Sequence, residues 1–191
     1  MTFCMEPSIS SVVIVDDRGQ RVAARYFSDG LQTLASQQKL EASLLSKALK
    51  STAAGEADIV LFDGHVAVMR SGKDVHLFVT GDPDENEIIL VEVLNALYNA
   101  LSSLLPGGSL NSRAMMERLD VVLLVLDELV DGGVILEMES SAIVNRVGMK
   151  GTEGSASASV MPGVSGSSTT PQQALLSFKE QMTRAFKATG N

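Results

Sequence analysis

Cysteine is nearly absent. Cys4 is the single one in 191 residues, so no internal disulfide can form and the chain suits a reducing compartment. Lying near the terminus, Cys4 reads as a passive thiol rather than a nucleophile. Basic clusters are missing as well. Fifteen Lys and Arg face 23 Asp and Glu, and the net charge of −8 disfavours nucleic-acid backbones and repels anionic membranes. No run approaches the ~20 apolar residues a membrane span requires. The apolar stretch 12–15 lacks the length and basic flank of a signal peptide. Thr2 and Gly190-Asn191 fit neither myristoylation nor prenylation. The expectation is a soluble cytosolic chain that meets membranes only through a partner.

Signatures of chemistry are equally scarce. No phosphate-binding P-loop, dinucleotide fingerprint, HExxH or nucleophile elbow occurs. His65 and His76 fall on strands separated by a turn and could face one another, yet no acid or nucleophile stands at an informative spacing. The acidic group Asp82, Asp84, Glu85, Glu87 lacks the ligand spacing of a calcium loop and reads as a turn plus a helix cap. No catalytic residue, cofactor or metal is assigned. A small cytosolic enzyme with a site built from Asp63, His65 and His76 is the alternative from another functional class.

What is present is material for one core: 45% hydrophobic residues in 20.2 kDa. Residues 113–137, RAMMERLDVVLLVLDELVDGGVILE, form the organising stretch. Met115, Leu119, Val122, Leu126 and Leu129 recur in steps of three and four, which predicts one continuous helix. Arg113, Glu117, Asp120, Asp127 and Asp131 make a polar stripe interrupted by Leu124. Gly132-Gly133 is expected to end the helix as a left-handed cap.

Upstream, Ile9–Asp16 (ISSVVIVD) reads as a strand covered on both faces. The turn Asp17-Arg18-Gly19-Gln20 leads to an alternating partner over residues 21–27. Residues 31–50 form an amphipathic helix carrying Leu40, Leu44 and Ala48. Three short strands follow at 57–62, 65–70 and 75–80, joined by Asp63-Gly64 and by Ser71-Gly72-Lys73-Asp74. Asp84 and Glu87 then suggest a capping box before a helix over 88–105, in which 13 of 18 residues are apolar. Residues 134–137 look extended, and 140–147 suffice for one or two helical turns.

Composition changes at Gly148, and residues 151–170 are expected to be a Gly/Ser-rich linker. A C-terminal amphipathic helix is expected over 171–191, with Leu175, Phe178, Met182 and Phe186 on one side. That stripe could fold back on its own domain, dock on a partner, or lie on membrane.

Three motifs together resemble the coatomer zeta-subunit family, the small chains of the COPI vesicle coat, and more distantly the small chains of clathrin adaptors. They are DDRGQRVAARYF (16–27), ENE at 85–87 leading into LVEVLNALYNALSSLL, and above all LDELVDGGVILE (126–137). AIVNRVGMKG (142–151) and SFKEQM (177–182) extend the similarity. The Gly/Ser linker is longer than the family pattern, and Ser140-Ser141 replaces a more turn-like pair.

The resemblance implies an α+β, longin-like domain over residues 1–150. Its five-stranded, mainly antiparallel sheet would carry one helix on one face and two on the other. It further implies a non-catalytic subunit that pairs with the gamma subunit of coatomer within a heteroheptameric coat. An Arf-family GTPase recruits that coat to the cytosolic face of Golgi membranes for Golgi-to-ER and intra-Golgi transport. Leu124 and the Leu175, Phe178, Met182, Phe186 stripe are the candidate partner contacts. Arg21 stands where clathrin-adaptor small chains carry an arginine near their acidic dileucine cargo site, although an edge-strand arginine also serves as a solvated, aggregation-resisting charge. A sigma-type clathrin-adaptor chain and a longin domain regulating membrane fusion are the rival identities.

Overall fold

A computed structural model describes residues 8–50, 57–62 and 65–149. The linker, the C-terminal stripe, Cys4 and the Asp63-Gly64 turn lie outside them. The β-branched run of β1 (Ile9–Asp16) forms an inner strand, second from one edge, of a five-stranded sheet. Its partners are β2 (Arg21–Tyr26) on one side and β5 (Val75–Gly81) on the other, with β4 (His65–Ser71) and β3 (Asp58–Phe62) beyond. Every pairing is antiparallel. Strand alternation divides the core, sending Val12 and Ile14 into one cluster and Val13 and Val15 into the other. The two-residue connection expected between β3 and β4 agrees with the register, which sets Phe62 opposite His65.

Helix α1 (Leu34–Ala48) covers one face with Leu40, Leu44 and Ala48. It starts later than the periodicity suggested, because Asp29–Leu31 forms a separate 3-10 turn and the Thr33 side chain caps the helix at Ser36. Helix α2 (Glu87–Leu104) covers the opposite face. Its cap is Asn86, not Asp84: the Asn86 side chain accepts the Ile88 N–H, while Asp82 and Glu85 hold the preceding turn. Among the described residues α2 is long and apolar enough to cross a membrane by composition. Its buried Leu90, Leu94, Leu97 and Leu101 show instead why it is apolar. At roughly 2 kcal/mol each, their burial matches much of a domain's net stability, so α2 stays on its sheet.

The organising stretch departs from expectation twice. The continuous helix is broken at Arg118 (φ −127°, ψ 41°) into α3 (Ser112–Glu117) and α4 (Leu119–Leu129). No glycine or proline marks the break, and Arg118 keeps backbone bonds on both sides, from its N–H to Ala114 and from its carbonyl to Val122 N–H. Gly132-Gly133 is not a helix cap. Val130–Asp131 (β6) and Val134–Ile135 (β7) pair as a two-residue hairpin, and the glycines form its turn at φ +57° and +86°. Two successive positive φ values are what such a turn demands, and glycine alone supplies them without strain. Helix α5 (Ser140–Gly148) then packs against α2 and α4. The arrangement is therefore one helix against the other helices across the sheet, as the resemblance implied, with α5 added to the second layer.

Candidate partner-binding surface

A surface made to be gripped should show apolar side chains that the domain's own core does not use. On α4, Val121, Val122, Val125, Leu126 and Leu129 point inward. Leu124 shares the outer line with Asp120 and Asp127 and is 49% exposed. Leu124 is thus open to solvent between otherwise buried turns, and it keeps its place as a contact candidate.

Sequence reasoning missed a second group. Residues 134–138 run extended, so side chains two apart share a side. Val134, Leu136 and Met138 take the outer side at 46%, 53% and 49% exposure. Ile135 turns toward the core. Glu137 also turns inward: its Oε1 accepts the N–H of Met138 and Glu139, and its Oε2 accepts from Arg146 Nη2 at 3.0 Å. The contact from the Glu139 N–H is the main reason the Glu137 carboxyl lies below the usual carboxylate range, and Arg146 adds to it. The alternation of VILEM carried the signal, but Glu137 occupies the inward side, where a charged residue is not ordinarily placed.

Arg21 is not a loose edge charge. Its Nε donates to Glu41 Oε1 at 2.5 Å, and the same oxygen accepts the Tyr26 hydroxyl. Glu41 is buried on α1, and Arg21 also lies over the Tyr26 ring at 5.2 Å. Burial first, and then the Glu41 hydrogen bond, raise the Tyr26 pKa. For Arg21, burial is the largest influence and works downward, but the bond to Glu41 together with the charges of Tyr26 and Glu41 outweighs it, and its pKa is raised. The guanidinium is thus committed to joining β2 to α1.

The histidines do not face one another. His65 opens β4, whereas His76 stands opposite Ser71 at the other end of that strand, roughly 20 Å away at strand rise. His76 Nε2 lies 2.9 Å from Asp17 Oδ1, and Nδ1 lies 2.8 Å from Ser71 Oγ. This chain fastens the β1–β2 turn to β4. The neighbouring depression of about 370 Å³ is lined by Asp16, Asp17, Arg18, Asp74, Ser112 and Arg113, not by His76 or Ser71. The acidic group near α2 is likewise structural: Asp82 accepts from the Ser10 hydroxyl and Glu85 from the Ser8 N–H. Among the described residues no group of three or more His, Cys, Asp or Glu is placed to hold a metal.

Comparison with known proteins agrees with this architecture. The profile of the clathrin adaptor complex small chain family matches residues 8–153. A coatomer subunit zeta-1 of Oryza sativa is 39% identical over 180 residues, covering 94% of this chain and 97% of the relative. Coatomer subunit zeta-3 of the same organism is 42% identical over 151 residues, covering 79% and 85%. In structure, a chain from a homology model of the full-length AP-3 complex in a stretched open conformation superposes with a TM-score of 0.56. It shares 15% identity and covers 73% of this chain and 91% of its own length, which bears on the longin-like fold alone. The chain belongs to the clathrin adaptor complex small chain family, and within it to the coatomer zeta subunits.

Proposed function

We propose that this chain is a non-catalytic structural subunit of the COPI coat, held in a stable pair with the gamma subunit of coatomer. The observation that carries the reading is the outer row Val134, Leu136, Met138, which leaves the most family-specific motif half exposed on its apolar side. Permanent subunit contacts bury ~2,000 Å² or more of relatively apolar surface. That row, with Leu124 on the preceding helix, is the kind of surface such a contact consumes. Leu175, Phe178, Met182 and Phe186, outside the described residues, are the second candidate for the same contact, on the strength of their apolar stripe. In this reading the subunit sits on the cytosolic face of Golgi membranes, within a heteroheptameric coat recruited by an Arf-family GTPase. It serves Golgi-to-ER and intra-Golgi transport without inserting into the bilayer.

The test is co-expression with coatomer gamma and, in parallel, with the large chain of a clathrin adaptor. Recovery of a one-to-one complex with gamma alone is expected. Pairing with the adaptor chain instead, or with neither, removes the reading. Affinity isolation from cytosol extends the test, since a seven-subunit coat should be recovered.

A further inference from the structure

Around the outer row, every acid but one has an occupation within the domain. Residues 112–149 hold seven acids against three arginines and no lysine, and Arg25 of β2 reaches the same side. Each of those four arginines is already committed. Arg113 holds Glu117 at 2.8 Å, and Arg25 holds Asp127 at 2.8 Å. Arg118 lies 3.9 Å from Asp120, and Arg146 divides itself between Glu128 at 3.3 Å and Glu137 at 3.0 Å. Glu139 accepts the Ser141 N–H and caps α5. Asp131 is left over: among the described residues its carboxylate has neither an ion pair nor a side-chain hydrogen bond.

The hairpin fixes where that carboxylate points. Asp131 stands directly opposite Val134 in the β6–β7 ladder, and directly opposed residues project from the same face. The other pair, Val130 and Ile135, turns to the core, so Asp131 and Val134 turn outward together, and both are exposed. Asp131 therefore belongs to the row Val134, Leu136, Met138. Any partner that covers the row also removes Asp131 from water. An unpaired carboxylate enclosed in this way carries a desolvation penalty large enough to oppose the contact. None of the four arginines on this side is free to relieve it.

We propose, resting on the coat-subunit reading above, that Asp131 is the charged anchor of the large-subunit contact and takes a basic side chain, an arginine by preference, from that partner. A guanidinium meets a carboxylate with two parallel hydrogen bonds, where a lysine offers a single point charge. Val134, Leu136 and Met138 exclude water from the pair, which is the setting in which such contacts hold most strongly. The anchor also selects. A large chain with an apolar or acidic residue at that point would strand Asp131, so it is rejected even where its shape fits.

The experiment co-expresses coatomer gamma with two differently tagged full-length small chains, wild type and variant, and reads their ratio in the purified complexes. Asp131→Asn keeps the shape and turn preference of the residue and removes its charge. It is expected to be recovered at least about tenfold less than wild type, and Asp131→Lys less again. Asp29→Lys makes the same change of charge as Asp131→Lys, but on the α1 side of the sheet, and should compete equally with wild type. When surface arginines and lysines of gamma are reversed to Glu one at a time, one reversal should restore Asp131→Lys. Equal recovery of wild type, Asp131→Asn and Asp131→Lys, while Leu136→Asp/Met138→Asp is lost, overturns the anchor and leaves the subunit reading intact. An equal loss in Asp29→Lys overturns it too, since net charge would then be the cause. So does a lowered urea midpoint for Asp131→Asn alone, which would assign the carboxylate to its own turn. Failure of the wild-type chain itself to pair with gamma removes the subunit reading, and the anchor with it.

Discussion

Gly133 clasps Ile9: its carbonyl accepts the Ile9 N–H at 2.8 Å, and a Cβ placed on it would stand 3.1 Å from the Ile9 carbonyl oxygen. The hairpin turn that ends α4 is thus pressed backbone to backbone on the first strand of the sheet. Gly132, one residue earlier, has equally left-handed geometry but open space around its missing side chain. The two glycines separate conformational strain from close approach. Gly132→Ala should cost ~1 kcal/mol, the usual penalty of a left-handed alanine. Gly133→Ala should cost about 3 kcal/mol, because strand β1 must also shift. Urea unfolding of the full chain checks both, and equal losses would refute the close-approach argument.

The Arg21–Glu41–Tyr26 group makes a second prediction. Glu41→Ala strands a half-buried guanidinium and a phenol, and should cost about 2 kcal/mol given that water still reaches Arg21. Tyr26→Phe should cost roughly 1 kcal/mol near neutral pH. The Tyr26 pKa is raised in the fold, so its contribution is complete below the ordinary tyrosine value of 10.0 and erodes as pH climbs beyond it. The gap between wild type and Tyr26→Phe should therefore shrink in alkaline unfolding experiments. Because Arg21 is already bound to Glu41, Arg21→Gln should leave titration of an acidic dileucine peptide unchanged. A clear loss there would return the arginine to a cargo role.

A third prediction concerns acid. Glu137 is held below the usual carboxylate value of 4.5, chiefly by the Glu139 N–H and also by Arg146. A depressed folded pKa means its contribution is present above the ordinary value and is lost as pH falls through the folded one. Glu137→Gln should be slightly less stable than wild type at neutral pH, with the gap closing on acidification below about 4.5. Parallel thermal melts across that range provide the check, and a gap that widens in acid would contradict the assignment.

Local rules carried the sheet and helices far. The alternation in residues 21–26 and the dense apolar run of 88–104 each allowed one geometry, and the structure adopted it. The break at Arg118 was invisible because residues on both sides keep the same three-and-four spacing. Gly132-Gly133 was ambiguous in principle, since a glycine pair serves a helix cap or a hairpin turn equally well. What decides is Ile9, which lies far away in sequence and pairs with the turn. Arg21 misled for the same reason: its partner Glu41 sits 20 residues on, across a helix the sequence does not orient. Distance along the chain, not weakness of local preference, separates what could be foreseen from what could not.

The gripping surface makes the last prediction. Leu136 and Met138 protrude from the stretch between the hairpin and α5, and Leu124 from α4, each about half exposed. Exposed apolar side chains contribute little to the isolated fold, so Leu124→Asp and Leu136→Asp/Met138→Asp should change its stability by less than ~0.5 kcal/mol. At a buried subunit contact, however, an unpaired carboxylate is strongly penalised. Both variants should therefore fold normally yet lose the coatomer gamma subunit in co-purification, with the double variant losing more. If the double variant retained full pairing at unchanged stability, the outer row of the VILEM segment would be ordinary surface and the contact would have to lie elsewhere.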